Sequence, residues 1–251
     1  MTRIILVGCN GRMGKLISEI AMDDNEAEIA AGIDIVDKGG CDYSFFTDIT
    51  DCDISADVMI DVSSADGFEN RMDYAVSKGL PIVLCTTGLD EAQLSYMEKA
   101  AERIAVLRSA NMSLGINLLL KLLSETAAKL AADGFDVEIV EKHHNQKLDA
   151  PSGTALALAD AVNEAMDGQY KYVYDRSNVR QKRGENEIGI SAIRGGTIVG
   201  EHDVIFAGKD EVITFSHTAY SRAVFAKGAV SAAKYMKGKG AGMYGMSDVL
   251  K

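Results

Sequence analysis

The most restrictive feature stands at the start of the chain. Arg3 to Val7 is an aliphatic, β-branched run that passes directly into Gly8-Cys9-Asn10-Gly11-Arg12-Met13-Gly14, and Lys15 to Met22 then carries a helical apolar period. The order is strand, glycine turn, helix. Glycines there permit a tight turn and close backbone approach, while the helix start aims unbonded N–H groups at an anion such as a pyrophosphate. An ordinary strand-to-helix turn has the same outline, so the neighbouring segments decide. Glu28 to Asp34 reads as a second strand ending in an acid, about twenty residues past the last glycine, where a carboxylate hydrogen-bonds a ribose 2′-OH.

Further strands are predicted at Val58 to Val62 and Ile82 to Cys85, separated by a helical stretch from Gly67 to Lys78, and a helix–strand pair follows over Glu91 to Leu107. Alternation of this kind implies an α/β fold, a Rossmann-like doubly wound parallel sheet with ligands across its carboxyl edge. The expected cofactor-binding residues are therefore those after the strands: Gly8, Cys9, Asn10, Gly11, Arg12 and Met13; Asp34; Cys85, Thr86 and Thr87; and Ser109, Ala110, Asn111 and Met112. Ser63-Ser64 joins the same edge. Arg12 either meets a cofactor phosphate or packs across its own loop.

The pattern changes after Asn111. Leu114 to Leu130 is a long apolar helix, and Phe135, Val137 and Ile139 then alternate with Asp136, Glu138 and Val140 as a half-buried strand. That strand delivers Glu141-Lys-His143-His144-Asn-Gln-Lys147-Leu-Asp149-Ala-Pro151-Ser152-Gly153-Thr154-Ala155. Pro151 disfavours helix before it, and Ser152 is placed to cap the apolar run from Ala155 through Ala165. The Gly153 and Thr154 amides then lie in a first helical turn, where the dipole and open N–H groups attract a carboxylate or phosphate. Two imidazoles, the Lys147 ammonium and a helix start in one stretch read as an active site. His143 and His144 are adjacent, so their side chains take opposite sides, which suits separate roles and not a shared metal. His202 and His217 are read as structural. Arg222 either pairs with a substrate carboxylate or is a solvated side chain.

Glu187 to Ile193, Thr197 to Glu201, Asp203 to Ala207 and Glu211 to Ser216 suggest antiparallel hairpins around Gly195-Gly196 and Gly208-Lys-Asp210. Tyr170 to Glu185 reads as a polar loop, and Arg222 to Met236 as a helix returning to the first domain. The expected division is a dinucleotide-binding domain over 1–112 completed by 218–251, and an α+β mixed-sheet domain over 113–217 for substrate binding and oligomerisation. Crossings near Asn111–Ser113 and His217–Arg222 make a hinge. The open second sheet needs cover, and another subunit is the expected cover, in a tetramer.

A chain of 251 residues with 47% hydrophobic content fills two such cores, and its net charge of -11 opposes nucleic-acid binding. The opening apolar run lacks the length of a secretory core, no run reaches a membrane span, and Cys9, Cys41, Cys52 and Cys85 show no zinc or disulfide spacing. A reduced, cytoplasmic location without metal is expected.

The chain resembles bacterial dihydrodipicolinate reductases, also called 4-hydroxy-tetrahydrodipicolinate reductases, of diaminopimelate and lysine biosynthesis. The resemblance spans the chain. It is carried by Glu141-x-His143-His144-x-x-Lys147-x-Asp149-Ala-Pro-Ser-Gly-Thr-Ala155, with Gly8-x-x-Gly11-Arg12-Met13-Gly14, Thr86-Thr87-Gly88, Ala110-Asn111-Met112-Ser113 and Val199-Gly-Glu-His202. It implies a homotetramer and reduced NAD or NADP as hydride donor. It further implies His143 as general acid, Lys147 as second proton donor, and His144, Gly153 and Thr154 as substrate-binding groups, with Arg222 steering the dicarboxylate. The implied reaction is hydride transfer to ring C4 of a conjugated imine with a proton from His143 or a water it polarises. One departure bears on the cofactor. Ile35 stands where NADPH-using members often carry Arg after the ribose-binding acid, so NADH is the expected preference, with Lys38 the one alternative contact for a phosphate. Two competing readings are a semialdehyde dehydrogenase, which needs a nucleophilic cysteine such as Cys85, and a non-catalytic nicotinamide-binding regulator.

Overall fold

The computed structural model describes residues 1–109 and 111–250. In chain order the elements are β1 (Thr2–Val7), α1 (Arg12–Met22), β2 (Ala27–Ile33), β3 (Ser44–Phe46), β4 (Val58–Asp61), α2 (Phe68–Lys78), β5 (Ile82–Leu84), α3 (Glu91–Ala101) and β6 (Ala105–Arg108). There follow α4 (Leu114–Ala132), β7 (Asp136–His143), α5 (Gly153–Glu164), β8 (Lys171–Val173), β9 (Glu187–Arg194), β10 (Gly200–Ala207), β11 (Val212–Ala219), α6 (Ala223–Met236), β12 (Gly242–Tyr244) and α7 (Met246–Val249). The described residues form two compact units, one from 1–114 with 222–250 and the other from Gly115–Ser221.

In the first unit seven strands lie in the order β12-β6-β5-β4-β1-β2-β3, all in parallel. The period of two along β1 explains the layering. Ile5 and Val7 enter one core with Met59, Ile82, Leu84, α2 and α3, whereas Ile4 and Leu6 enter the opposite core with Ile60, Val83, Leu107, Ile17 of α1 and the alanine-rich face of α6. A parallel sheet buried on both faces is the doubly wound arrangement the alternation implied. α6 packs closely because residue 228 is glycine: a Cβ there would stand 1.7 Å from the Met112 carbonyl oxygen. Two edge strands escaped the sequence reading. β3 has only three residues, and β12 lies in a glycine-rich tail and is held by its pairing to β6.

The second unit is a mixed sheet in the order β11-β10-β7-β9-β8. Leu119, Leu123 and Ala127 of α4, with Ala155, Leu158, Ala159 and Val162 of α5, cover Val137, Ile139, Ile188, Ile190, Val204 and Phe206 on one face. The Gly208-Lys-Asp210 hairpin forms between antiparallel β10 and β11. The one expected at Gly195-Gly196 does not. β9 runs parallel to β7, β7 lies between β9 and β10, and the glycine pair carries the chain over the end of β7. Gly195 N–H donates to the His143 carbonyl and Asn145 N–H to that of Gly196. Thr197–Glu201 and Asp203–Ala207 are accordingly not two strands, because β10 is continuous from Gly200. The supposed loop after Tyr170 opens with β8, whose pairing to β9 overrides its polar composition.

Candidate active site

β7 is apolar at Val137 and Ile139 and polar at Glu141 and His143 on the same face, since alternate residues of a strand share a side. Register extends this change across the sheet. Glu141 is opposite His202 of β10, and His143 is opposite Arg194 of β9, so one end of the helix-covered face carries all four. Glu141 is fully buried and saturated with donors. Arg194 Nη1 and Nη2 reach its two oxygens at 2.7 Å each, the Ser152 N–H donates at 2.9 Å, and His143 Nδ1 is 2.6 Å away. Arg194 Nη2 also donates to the Asp149 carbonyl at 2.6 Å, tying the loop before α5 to the same cluster.

Burial alone would raise the Glu141 carboxyl, but the Arg194 guanidinium, His143 and the Ser152 amide outweigh it and hold the group below the usual carboxylate range. An ionised carboxylate only accepts, so the proton between it and His143 sits on Nδ1 and leaves the Nε2 lone pair free. Desolvation lowers His143 below the ordinary imidazole value; Glu141 opposes that shift, and Lys147 and Arg194 reinforce it. His202 meets His143 edge-on with ring centroids 5.1 Å apart, and its Nε2 is 3.1 Å from the Ser152 hydroxyl. Desolvation and then His143 push His202 down to about 4, so it is neutral at physiological pH. Its buried Nδ1 meets no hydrogen-bonding atom among the described residues.

Ser152 caps α5 as expected, accepting from the Ala155 N–H at 3.2 Å. A methyl built on Gly153 would meet nothing within 4 Å, so the backbone there can be approached closely, and its N–H donates to the Asp149 carboxylate. Lys147 Nζ lies 2.8 Å from Asp149 Oδ1, and this contact is the main cause holding the Asp149 carboxyl below its usual range. The second unit thus brings His143, Lys147, Gly153 and Thr154 onto one segment around the start of α5, with the half-buried His144 immediately after β7. Arg222 falls in the first unit, at the start of α6.

The first unit gathers the other expected residues along the carboxyl edge of its sheet. Gly8 has φ of +81° and starts the turn, and a Cβ on Gly14 would stand 2.2 Å from the Gly8 carbonyl oxygen, so α1 can pack this closely only with glycine there. Gly11, the first cap of α1, makes no side-chain cap bond, which leaves the helix start open to an anion. Asp34 follows β2 and accepts from the Asn10 N–H at 2.8 Å and the Ile35 N–H at 2.9 Å. Asp34 and Gly8 line a cleft of about 320 Å³ that also includes Ile35, Asp48, Ser63, Ser64 and Arg71. The Thr86 hydroxyl, two residues beyond β5, is buried without a hydrogen-bond partner among the described residues. Glycine turn, open helix start, acid after β2 and unpartnered hydroxyl together fit a nicotinamide dinucleotide.

Other expected residues differ in what they can offer. Arg12 and Thr87 are exposed, whereas Cys9 and Met112 turn their side chains into the core and present only backbone. Ser109 Oγ donates to the Asn111 carbonyl and Asn111 Oδ1 accepts from the Ser113 N–H, so these residues shape the loop after β6. Ala110 lies outside the described residues. The Cys85 thiol is pushed up to about 12 by desolvation and by Asp61, which opposes a nucleophilic role. Sequence reasoning gave no role to Glu141 or Arg194 and read His202 as structural. The available signal was the period-2 stripe of the histidine strand, which continues through an acid into a histidine.

Two family profiles cover nearly the whole chain: "Dihydrodipicolinate reductase, N-terminus" matches residues 2–112 and "Dihydrodipicolinate reductase, C-terminus" matches residues 115–250. The 4-hydroxy-tetrahydrodipicolinate reductase of Caldanaerobacter subterraneus subsp. tengcongensis is 49% identical over 251 residues, covering 100% of this chain and 99% of that one. Its counterpart in Clostridium tetani is 48% identical over 250 residues, covering 100% and 97%. Among solved structures, the dipicolinate-bound dihydrodipicolinate reductase from Paenisporosarcina sp. TG-14 superposes with a TM-score of 0.83 at 23% identity, covering 100% of both chains.

Proposed function

The chain belongs to the dihydrodipicolinate reductase family and is an oxidoreductase of lysine and diaminopimelate biosynthesis that reduces 4-hydroxy-tetrahydrodipicolinate with a nicotinamide cofactor; on that footing we propose that the segment from His143 to Thr154 binds the dicarboxylate and supplies its proton. The observation that carries this reading is the meeting of His143, held by buried Glu141, with Lys147 and the start of α5, whose Gly153 amide already holds a carboxylate, that of Asp149, on one short segment.

One substrate carboxylate replaces that of Asp149 at the Gly153 amide and lies beside Thr154, where the α5 dipole favours negative charge. Lys147, paired with Asp149 in the free protein, turns to the incoming dianion, stabilises charge that develops during reduction and serves as a second proton donor. His144 completes the binding groups of the second unit. Loss of water from the substrate gives dihydrodipicolinate, and the reduced cofactor, when bound, supplies the hydride to ring C4. The protein's part is to place a proton at C3, from His143 or from a water that it polarises. His143 is neutral when unliganded and presents a lone pair at Nε2. The negative charge of the substrate favours a proton there, balanced by Glu141.

The nucleotide lies along the carboxyl edge of the first sheet, with Gly8 to Met13 at its phosphates, Asp34 at its ribose, and Cys85 to Thr87 and Ser109 to Met112 towards the nicotinamide. NADH is the preferred donor. The protein works as a homotetramer in the cytoplasm, a reducing setting that suits its four free cysteines.

A coupled assay tests this. The preceding enzyme generates the substrate from pyruvate and aspartate semialdehyde, and loss of nicotinamide absorbance is followed. His143→Gln is expected to lower kcat at least 100-fold, within the range for a positioned acid, with cofactor Kd unchanged. Normal turnover by that variant would remove His143 from the mechanism, and no oxidation by the parent protein would favour a regulator.

A further inference from the structure

We propose that Glu141, clamped by Arg194, is a positioning residue: it fixes His143 with its proton on Nδ1 and Nε2 presented as the reacting nitrogen, and it is the counter-ion when that nitrogen takes up a proton. The proposal rests on His143 as the proton donor and names the groups that govern its ring.

The geometry leaves the carboxylate little freedom. It is fully buried and receives the two parallel donors of Arg194, the Ser152 amide and His143 Nδ1, all between 2.6 and 2.9 Å. A bidentate guanidinium fixes the carboxylate plane as well as its charge. His143, on the same face two residues along β7, is then held at one nitrogen by an acceptor that cannot donate. The ring's second nitrogen faces Gly200, where a built Cβ would stand 3.1 Å from Nε2. Glycine at this position keeps side-chain atoms away from the lone pair.

The charged and titratable groups around the ring come from every neighbouring element. Glu141 and Arg194 adjoin it from β7 and β9, Lys147 acts on it from the following loop, and neutral His202 meets it edge-on from β10. Two cations oppose its protonation and one carboxylate favours it, so the Glu141 charge is what permits a charged ring once substrate arrives. Arg194 keeps that carboxylate ionised despite full burial and also anchors the Asp149 carbonyl, linking the acid's position to the loop that leads into α5. Without Arg194 the buried acid would take up a proton, and Nδ1 would meet a hydroxyl instead of a carboxylate.

The test has one arm that needs no activity. In 15N-histidine NMR of the unliganded protein near pH 7.5, the signals assigned to His143 by their loss in His143→Gln are expected to show a protonated Nδ1 and an unprotonated Nε2. An Nε2–H tautomer would overturn the proposal. The second arm is Glu141→Gln. Its kcat is expected to fall at least 10-fold, with the pH limb that reports His143 protonation displaced about one unit or more towards acid, the size of effect a nearby opposite charge has on an imidazole. Cofactor Kd should stay within twofold. A kcat within twofold of the parent together with an unmoved limb would also overturn it. Should Glu141→Gln fail to fold, the tautomer in the parent protein decides alone. Normal turnover by His143→Gln would remove the acid itself from the mechanism and leave the NMR result intact, so the two failures are separable.

Discussion

Gly200 and His143 stand 57 positions apart in the chain, and their contact shows what a single atom can do in this site. Gly200 opens β10 with φ outside the left-handed region, so its backbone accepts alanine without strain. The added methyl would nevertheless press on Nε2 from 3.1 Å. The imidazole cannot swing aside cheaply, because Glu141 holds Nδ1 at 2.6 Å and the His202 ring lies against it. Gly200→Ala is therefore expected to lower kcat at least 10-fold and to lower thermal stability modestly, with far-UV circular dichroism and cofactor Kd unchanged. A variant with full turnover would show that Nε2 is not the reacting nitrogen. The histidine, the lysine and the helix start were legible as residues because they crowd into one stretch. Arg194 and His202 were not, since only the register of β9 and β10 against β7 brings them to Glu141, and register is absent from a linear reading.

Among the elements, those with a strong period of their own were legible: β1, α1, β4, α2 and α4 lie within a residue or a few of their expected limits. Those formed through partners were not. β3, β8 and β12 have three residues each and exist because β2, β9 and β6 offer them an edge. The crossover at Gly195-Gly196 passed for a turn because a glycine pair marks a change of direction without saying which strand comes next. The end of β2 carries the cofactor prediction. Ile35 is 87% exposed beside Asp34, and the cleft there is also lined by Asp48 and Asp66. Among the described residues its one lining cation, Arg71, is committed to Asp61 at 2.6 Å and to the Ser64 and Asp66 carbonyls. A 2′-phosphate would meet carboxylates with no uncommitted cation in that lining, whereas a ribose hydroxyl donates to Asp34. The expected result is a kcat/KM at least 10-fold higher with NADH than with NADPH. Ile35→Arg should narrow the ratio, and an NADPH advantage in the parent protein would refute the assignment.

At the scale of the whole molecule, the second sheet is the part whose surface asks for a partner. Helices α4 and α5 cover one of its faces; the other carries Val140 and Ile205 among the ion pairs of Lys142 with Glu201 and Asp203. That mixture is compatible with water. The edge is less so. β11 runs for eight residues, Val-Ile-Thr-Phe-Ser-His-Thr-Ala, with no proline, lysine or acid along its length, and among the described residues it pairs only with β10. Native sheets blunt a long edge with charge, proline or a bulge, or they cover it. With none of the first three devices present, cover by a second copy of the same strand is the solution that closes by symmetry, and pairing of two such dimers through the uncovered faces gives a tetramer. Light scattering after size exclusion is expected to return about four times the mass of one chain. Thr214→Lys with Ser216→Lys places charge at two exposed positions of this edge without entering the core. The double variant should shift to dimer or monomer while each chain keeps its far-UV circular dichroism. A parent protein that elutes as a monomer at micromolar concentration would leave β11 an unprotected edge and end the proposal of a tetramer.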